Sequence, residues 1–149
     1  MANRLFIKIS PKPAVTITRY GLKRKKVVYA AVANKQHKYP DGQSSVVYIG
    51  TTKKGVKRIA DSAANQAKKQ LFNYGVKRLS FYVVSCKALA GVESWKKLER
   101  ALLLTFKAEF WSVPVGNKVG KNFKWKDEHK YFAERRLRTI IAELSQRSG

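Results

Sequence analysis

The sequence predicts an α+β fold, because its hydrophobic pattern changes between a strand period and a helix period along the chain. Three short runs rich in β-branched and aromatic residues lie at 27–33, 45–50 and 78–86. Two longer segments place apolar residues three or four positions apart, which is typical of amphipathic helices. We therefore expect the order β-β-α-β-α, with a small central antiparallel sheet flanked by helices.

Two weakly apolar stretches precede this core, at 3–9 and 14–18. Pro11 and Pro13 lie between them, and proline interrupts regular backbone pairing. Both stretches predict short N-terminal strands added to the core.

The first two runs predict a hairpin. VVYAAVA at 27–33 is apolar throughout, which indicates a buried strand. The next stretch, 34–45, is polar and contains a Pro-Asp-Gly turn signal, and SVVYIG at 45–50 predicts the returning strand. We expect a long loop between the two strands.

Helical spacing begins after Gly55 and ends near 73–75, and the third strand follows at 78–86. The apolar positions expected on one face of this first helix are Val56, Ile59, Ala60, Ala63, Ala67 and Leu71.

A second helix is predicted from about Val92 to about Phe110, and a last helix over about 127–146. The basic stretch 112–126 between them contains proline and glycine and predicts a loop. The last helix has an apolar face, which can either pack on the core or form a dimer. These features divide the chain into a basic extension at 1–26, a core at 26–118, and a basic loop with a C-terminal helix at 119–149.

Positive charge dominates the composition. The chain has 32 Lys and Arg against 9 Asp and Glu, a formal net charge of +23, and no acidic residue precedes Asp41. Such self-repulsion favours a polyanionic partner, and nucleic acid is the usual one. An anionic membrane surface is disfavoured, because the basic residues are spread along the whole chain and no lipid signal is present. No apolar run is long enough to span a bilayer. The lone Cys86 indicates a reducing compartment, so we expect a cytoplasmic protein.

The few acidic residues restrict the chemistry. Two-metal nuclease sites need several clustered carboxylates, and no such cluster is visible in the sequence. No Cys/His set with zinc-ligand spacing is present. A hydrolytic site in this chain must therefore combine one carboxylate with tyrosine, lysine or arginine.

Glu99 is the carboxylate that the helix pattern selects. It lies inside the apolar stripe of the second helix, four residues after Trp95 and three before Leu102. A carboxylate on a core-facing stripe is costly unless it is paired or binds a metal. Two interpretations stay open from periodicity alone: a metal site and a buried salt bridge to a lysine or arginine.

The order of motifs over residues 26–118 resembles the GIY-YIG nuclease family. VVY at 27–29 stands in place of the first motif, and YIG at 48–50 is similar to the second. Arg58 lies ten residues after the tyrosine of YIG, where the family places its helix arginine.

Two further motifs follow in the family's order. ERALLLTF, which begins at Glu99, is similar to the family's E-x-x-L-(L/I)-x-x-F helix, and PVGN at 114–117 is similar to its final proline and asparagine. Three departures accompany the resemblance. The first motif lacks Gly-Ile, Ser62 stands where several members carry a histidine, and Asn122 competes with Asn117 for the asparagine role.

The resemblance implies a one-metal endonuclease. Glu99 would hold one Mg²⁺ or Mn²⁺, largely through waters, since such a cation prefers oxygen ligands. Tyr48 would act as general base with Tyr29 hydrogen-bonded beside it, and nearby cations should favour a phenolate. Arg58 would bind the scissile phosphate through its fork of donors. Asn117 would orient the site.

Ordinary structural roles remain open for the same residues. Tyr29 and Tyr48 can be simple strand aromatics, and Arg58 can be a solvated residue paired with Asp61. Asn117 can be only a turn former.

Lysines and arginines near these motifs predict phosphate contacts. The expected nucleic-acid-binding residues are Lys23, Arg24, Lys25, Lys26, Lys53, Lys54, Lys118, Lys121, Lys124 and Lys126. Trp111, Phe123 and Trp125 alternate with lysines, so they either stack on bases or attach the loop to the core.

Two classes of function are consistent with these features. The first is a metal-dependent DNA endonuclease of a phage, restriction or repair type, with double-stranded DNA as the expected substrate, RNA still open, and a homodimer possible. The second is a non-catalytic RNA- or DNA-binding protein, ribosome- or nucleoid-associated, on the same scaffold. A core-facing glutamate favours the first, because a binding module has no use for it.

Overall fold

The computed structural model describes residues 4–16 and 25–147. The predicted α+β class is confirmed: a three-stranded antiparallel sheet carries helices on both faces. None of the helices in the described ranges is long and apolar enough to cross a membrane. The elements are β1 (Val27–Lys38), β2 (Gln43–Thr52), α1 (Val56–Asn73), β3 (Leu79–Val84), α2 (Ser94–Phe110), α3 (Glu128–Tyr131) and α4 (Glu134–Gln146).

The strand order is β2-β1-β3, so β1 is central and buried. The register places Ala31 opposite Tyr48 but Val32 opposite Val46, which leaves Val47 as the extra residue of a β-bulge. The bulge lets Val47 and Tyr48 both pack on the α1 side of the sheet.

The predicted long hairpin loop is wrong, because β1 continues to Lys38 and the connection is only residues 39–42. Tyr39 explains the tight turn. Its backbone N–H donates to the Gly42 carbonyl at 2.9 Å, and Gly42 adopts a φ of 91° that favours glycine. The Tyr39 hydroxyl donates to the Val46 carbonyl and accepts from the Val115 N–H, so a buried polar atom is fully bonded.

The two predicted N-terminal strands are absent from the described residues. Residues 4–16 contain no strand, and positions 17–18 of the second stretch lie outside the described ranges. Leu5 and Ile7 are 89% and 91% exposed, so the apolar pattern alone did not produce pairing. A strand requires a partner for its backbone groups, and residues 4–16 have no such partner within the described chain.

The buried face of α1 is shifted relative to the predicted one. Ile59 is buried as predicted and Ala63, Ala67 and Leu71 are half-buried, but Ala60 is exposed, and the side chain of Val56 lies outside the described residues. Ser62, Gln66 and Gln70 are buried as well. Alanine gains little from burial, so the contacts with the sheet, rather than the weak apolar pattern, decide which face of α1 is buried. This shift brings Ser62 to the sheet, although Ser62 is not among the predicted apolar positions.

Two other helices differ from their predicted extents. α2 begins at Ser94 instead of about Val92, because Val92 forms an isolated β-bridge with Leu89. The single helix predicted over 127–146 is two helices, since Phe132 adopts an extended backbone between α3 and α4.

α2 and α4 pack together on the face of the sheet opposite α1, and they enclose the larger core. α4 contributes Leu137, Ile141 and Leu144, so its apolar face packs on the core. The Ser45 hydroxyl also donates to the Ser145 carbonyl at 2.9 Å, which attaches the end of α4 to β2.

Candidate active site

Two tyrosines lie side by side on the α1 face of the sheet. Tyr29 pairs with Gly50 across the β1–β2 ladder, and the Tyr48 ring lies 6.0 Å from the Tyr29 ring, centroid to centroid. Gly50 makes this packing possible, because an added Cβ there would lie 2.7 Å from Tyr48 Cε1 and 2.8 Å from Tyr29 Cζ. The glycine of YIG is therefore explained by the close approach of the two rings.

Tyr29 is buried, and its surroundings keep it neutral. Burial raises its pKa to about 12, and a hydrogen bond with Ser62 and the charge of Arg58 oppose that rise only in part. This tyrosine can orient a neighbour but does not lose its proton near neutral pH.

Arg58 lies in the first turn of α1, close enough for its charge to act on Tyr29. Its side chain is exposed and, within the described ranges, forms no ion pair within 4.0 Å, so the pairing with Asp61 does not occur. The guanidinium is therefore accessible to a phosphate beside the tyrosines.

Asn117 holds the outer edge of β2 next to Tyr48. Its side-chain Oδ1 accepts from the Ile49 N–H at 2.9 Å, and its Nδ2 donates to the Ile49 carbonyl at 2.8 Å. The neighbouring Gly116 N–H donates to the Val47 carbonyl at 2.7 Å. Asn117 is thus more than a turn former, whereas the rival Asn122 is exposed.

Glu99 lies on α2 and is half-buried. Burial raises its pKa to about 7, and the charge of Arg100 opposes the rise. Across residues 4–16 and 25–147, Glu99 has no ion pair and no hydrogen bond through its carboxylate, so the salt-bridge interpretation finds no partner. The helix pattern therefore identified a carboxylate that is costly for the fold.

The structure brings together four of the five predicted site residues, and the fifth lies on a different helix. Tyr29, Tyr48 and Arg58 form one cluster, and Asn117 binds the strand residue beside Tyr48. Glu99 belongs to α2, which packs against the other face of the sheet, and no hydrogen bond or ion pair in the described part of the chain joins Glu99 to the tyrosines.

A single carboxylate is the available metal ligand. In the part of the chain that the structure describes, no group of three or more His, Cys, Asp or Glu side chains could hold a metal ion. An unpaired, partly buried carboxylate is suited to a hard divalent cation that keeps most of its waters. Glu99 fits that requirement.

Lysines border the end of the sheet where β1 begins and β2 ends. The Nζ of Lys26 lies 4.9 Å from the centre of the Trp95 ring. The pKa of Glu93 is lowered mainly by Lys96, and the charges of Lys53 and Lys26 lower it further. Trp95 is four residues before Glu99 on α2, so Lys26 contacts the residue one helical turn before Glu99. Lys25, Lys26, Lys53 and Lys54 are exposed; Lys23 and Arg24 lie outside the described residues.

The basic loop is attached to α2, and its lysines point outward. Arg100 lies over the Phe123 ring at 4.4 Å and donates to the Lys124 carbonyl at 2.8 Å. Phe123 therefore attaches the loop to the core, while Trp111 is 68% exposed. The loop lysines Lys118, Lys121, Lys124 and Lys126 are all exposed.

Glu128 is a buried carboxylate that the sequence did not reveal. It is 1% exposed, and its Oε1 accepts from the Lys126 N–H at 3.0 Å. Its Oε2 lies 3.9 Å from Nε of Arg100. These contacts give Glu128 a structural role in the loop. Glu128 lies in a strongly charged stretch, so no apolar periodicity of the sequence predicted that it would be buried.

Comparison with known proteins finds no relative of this chain. No protein-family model, no curated protein and no solved structure matches the chain.

Proposed function

We propose that this protein is a metal-dependent endonuclease that hydrolyses DNA phosphodiester bonds. The observation that carries the proposal is Glu99, a half-buried carboxylate without an ion pair in the described residues and with a pKa raised to about 7. A fold tolerates such a cost mainly where the group has a task, so perturbed carboxylates mark functional sites.

Glu99 would hold one Mg²⁺ or Mn²⁺, mostly through water. When bound, that ion supplies charge stabilisation to the phosphoryl group and the leaving oxygen. Each of these divalent ions also favours the deprotonated form of Glu99, which removes the cost of burying an unpaired carboxylate.

The other site residues have roles that follow from their surroundings. Tyr48 would accept a proton from the attacking water, and Tyr29, which stays neutral, would orient it. Arg58 is exposed and not ion-paired within the described chain, so it is available to bind the scissile phosphate. Asn117 is a positioning residue, since it holds the strand beside Tyr48.

A plasmid nicking assay tests the proposal, with supercoiled DNA in Mg²⁺, in EDTA, and with the Glu99→Gln protein. We expect cleavage only with metal and Glu99, and a loss of at least about 100-fold in Glu99→Gln with unchanged DNA binding. Glu93→Gln is the matched control, because Glu93 is exposed at the start of the same helix and pairs only with Lys96 within the described residues.

A non-catalytic nucleic-acid-binding protein is the second candidate. Two observations favour it: the net charge of +23 accounts for nucleic-acid binding without catalysis, and no hydrogen bond or ion pair among the described residues joins Glu99 to the tyrosine cluster. Tight binding without cleavage in Mg²⁺ and Mn²⁺, across DNA and RNA substrates, would establish this candidate and exclude the first.

A further inference from the structure

Residues 5–9 (LFIKI) form an exposed apolar segment, called here the apolar arm. Leu5, Phe6, Ile7 and Ile9 are each between 89% and 91% exposed. Adjacent exposed apolar side chains mark an interaction site in a protein of this size. Side chains two apart point to the same side of an extended chain, so Leu5, Ile7 and Ile9 form one apolar face. The apolar arm has the pattern of a strand that lacks a partner.

The sheet has an open edge that can receive such a strand. β3 is an outer strand, and within residues 4–16 and 25–147 it pairs only with β1. Of the hydrogen bonds outside the sheet ladders in the described ranges, none involves the backbone of Leu79–Val84. The opposite edge is already occupied, since Asn117 and Gly116 bind β2. The unused backbone groups are therefore concentrated on β3.

A groove of about 500 Å³ lies between β3 and α4. It is lined by apolar side chains from both elements and from the segment before α4, and also by the charged side chains of Arg136, Glu143 and Arg147. The apolar lining includes Tyr82, Val84, Cys86, Phe132, Ile140 and Leu144. A strand added to β3 would direct every second side chain into this groove.

We propose that the apolar arm of one molecule adds as a fourth strand to β3 of a second copy, and that the exchange is reciprocal. Within its own chain the arm is almost fully exposed, so a second copy is the partner that covers both the arm and the groove. Main-chain hydrogen bonds to β3 supply affinity, and Leu5, Ile7 and Ile9 fill the groove. Reciprocal exchange gives a closed twofold dimer in which the β3 edges of both copies are paired. This inference does not depend on the proposed nuclease activity.

Disulfide trapping tests the contact directly, because Cys86 lines the groove and is the single cysteine of the chain. Cysteine is introduced in turn as Leu5→Cys, Ile7→Cys and Ile9→Cys, and the proteins are oxidised. At least one variant should give a disulfide-linked dimer at several-fold higher yield than Val15→Cys, an exposed control position beyond the arm. Adding Cys86→Ser should abolish that dimer. Equal yields in all variants, or a disulfide within one chain, would refute the exchange.

Sedimentation of the full chain tests the dimer without modification. Wild-type protein should be dimeric, Ile7→Asp monomeric, and the charge-matched control Val15→Asp dimeric. Because each copy carries +23, added salt should strengthen the dimer by screening repulsion. Wild-type protein that stays monomeric at every concentration and salt tested would overturn the proposal.

Discussion

At the scale of single residues, Glu99 is the proposed metal ligand, and burial of its carboxylate costs folding free energy. Its ordinary pKa of 4.5 is raised to about 7 by burial. The unfolded chain therefore loses this proton at lower pH than the folded chain does. Between these two values the folded state binds more protons, so the free energy of unfolding contributed by this group falls as pH rises.

Glu99→Gln should remove that cost. At pH 4 the variant and the wild type should be equally stable, because both carry a neutral side chain. At pH 8, in EDTA, the variant should be more stable by up to about 3 kcal/mol, the free energy that corresponds to the pKa difference. Urea unfolding at both pH values measures this. A variant that is less stable at pH 8 would show that the carboxylate contributes to the fold.

Tyr48→Phe removes only the hydroxyl that we assign as proton acceptor. Cleavage should fall by roughly 10²- to 10⁴-fold, the usual contribution of a general base, while DNA binding persists. The control is Tyr82→Phe, since Tyr82 is also half-buried but lies on β3, on the side of α4. Single-turnover nicking measures both variants. Equal rates for Tyr48→Phe and wild type would remove Tyr48 as the base.

At the scale of elements, the loop after α2 determines the geometry of β2. At the outer edge of β2, the side-chain amide of Asn117 makes the hydrogen bonds that a neighbouring strand would make. It accepts from the Ile49 N–H and donates to the Ile49 carbonyl. A buried backbone pair without such a partner would be costly. The site therefore depends on a loop residue distant in sequence from the strand that it holds.

Asn117→Ala should destabilise the protein by roughly 2–4 kcal/mol, because two buried backbone groups lose their partners. Asn122→Ala should have little effect, since Asn122 is exposed. Thermal unfolding gives the difference, and hydrogen exchange at Ile49 should increase selectively in Asn117→Ala. Unchanged exchange at Ile49 would show that β2 does not depend on this side chain.

At the scale of the whole molecule, the charge of +23 is distributed around the small fold and makes nucleic-acid binding dependent on salt. Lys26, at the start of β1, contacts Trp95 in the first turn of α2, and the charges of Lys26 and Lys53 act on Glu93 at the start of that helix. We expect these lysines to bind phosphates adjacent to the site.

Replacing Lys25, Lys26, Lys53 and Lys54 by glutamine should weaken DNA binding and flatten its salt dependence. The slope of log K against log salt should decrease by about 0.9 for each phosphate that the variant no longer neutralises. Glutamine at the exposed residues Lys68, Arg135, Arg136 and Arg138 gives a variant of equal charge for comparison. If both variants reduce the slope equally, binding depends on net charge and not on this surface.

The α+β class and the β-β-α-β-α order of the core could be predicted from the amino-acid sequence, because the hydrophobic period is a property of neighbouring residues. The candidate site residues come from local motifs in the same way, and their roles stay a prediction. The buried face of α1, the length of the hairpin strands and the burial of Glu128 could not, because they depend on contacts between distant segments. Tertiary packing also distinguished the two carboxylates by their contacts: Glu128 has an ion pair with Arg100 and accepts from a backbone N–H, whereas Glu99 has no ion pair or hydrogen bond in the described residues, although the charge of Arg100 acts on it. Burial without a partner arises from packing, and packing is decided only when the whole chain has folded.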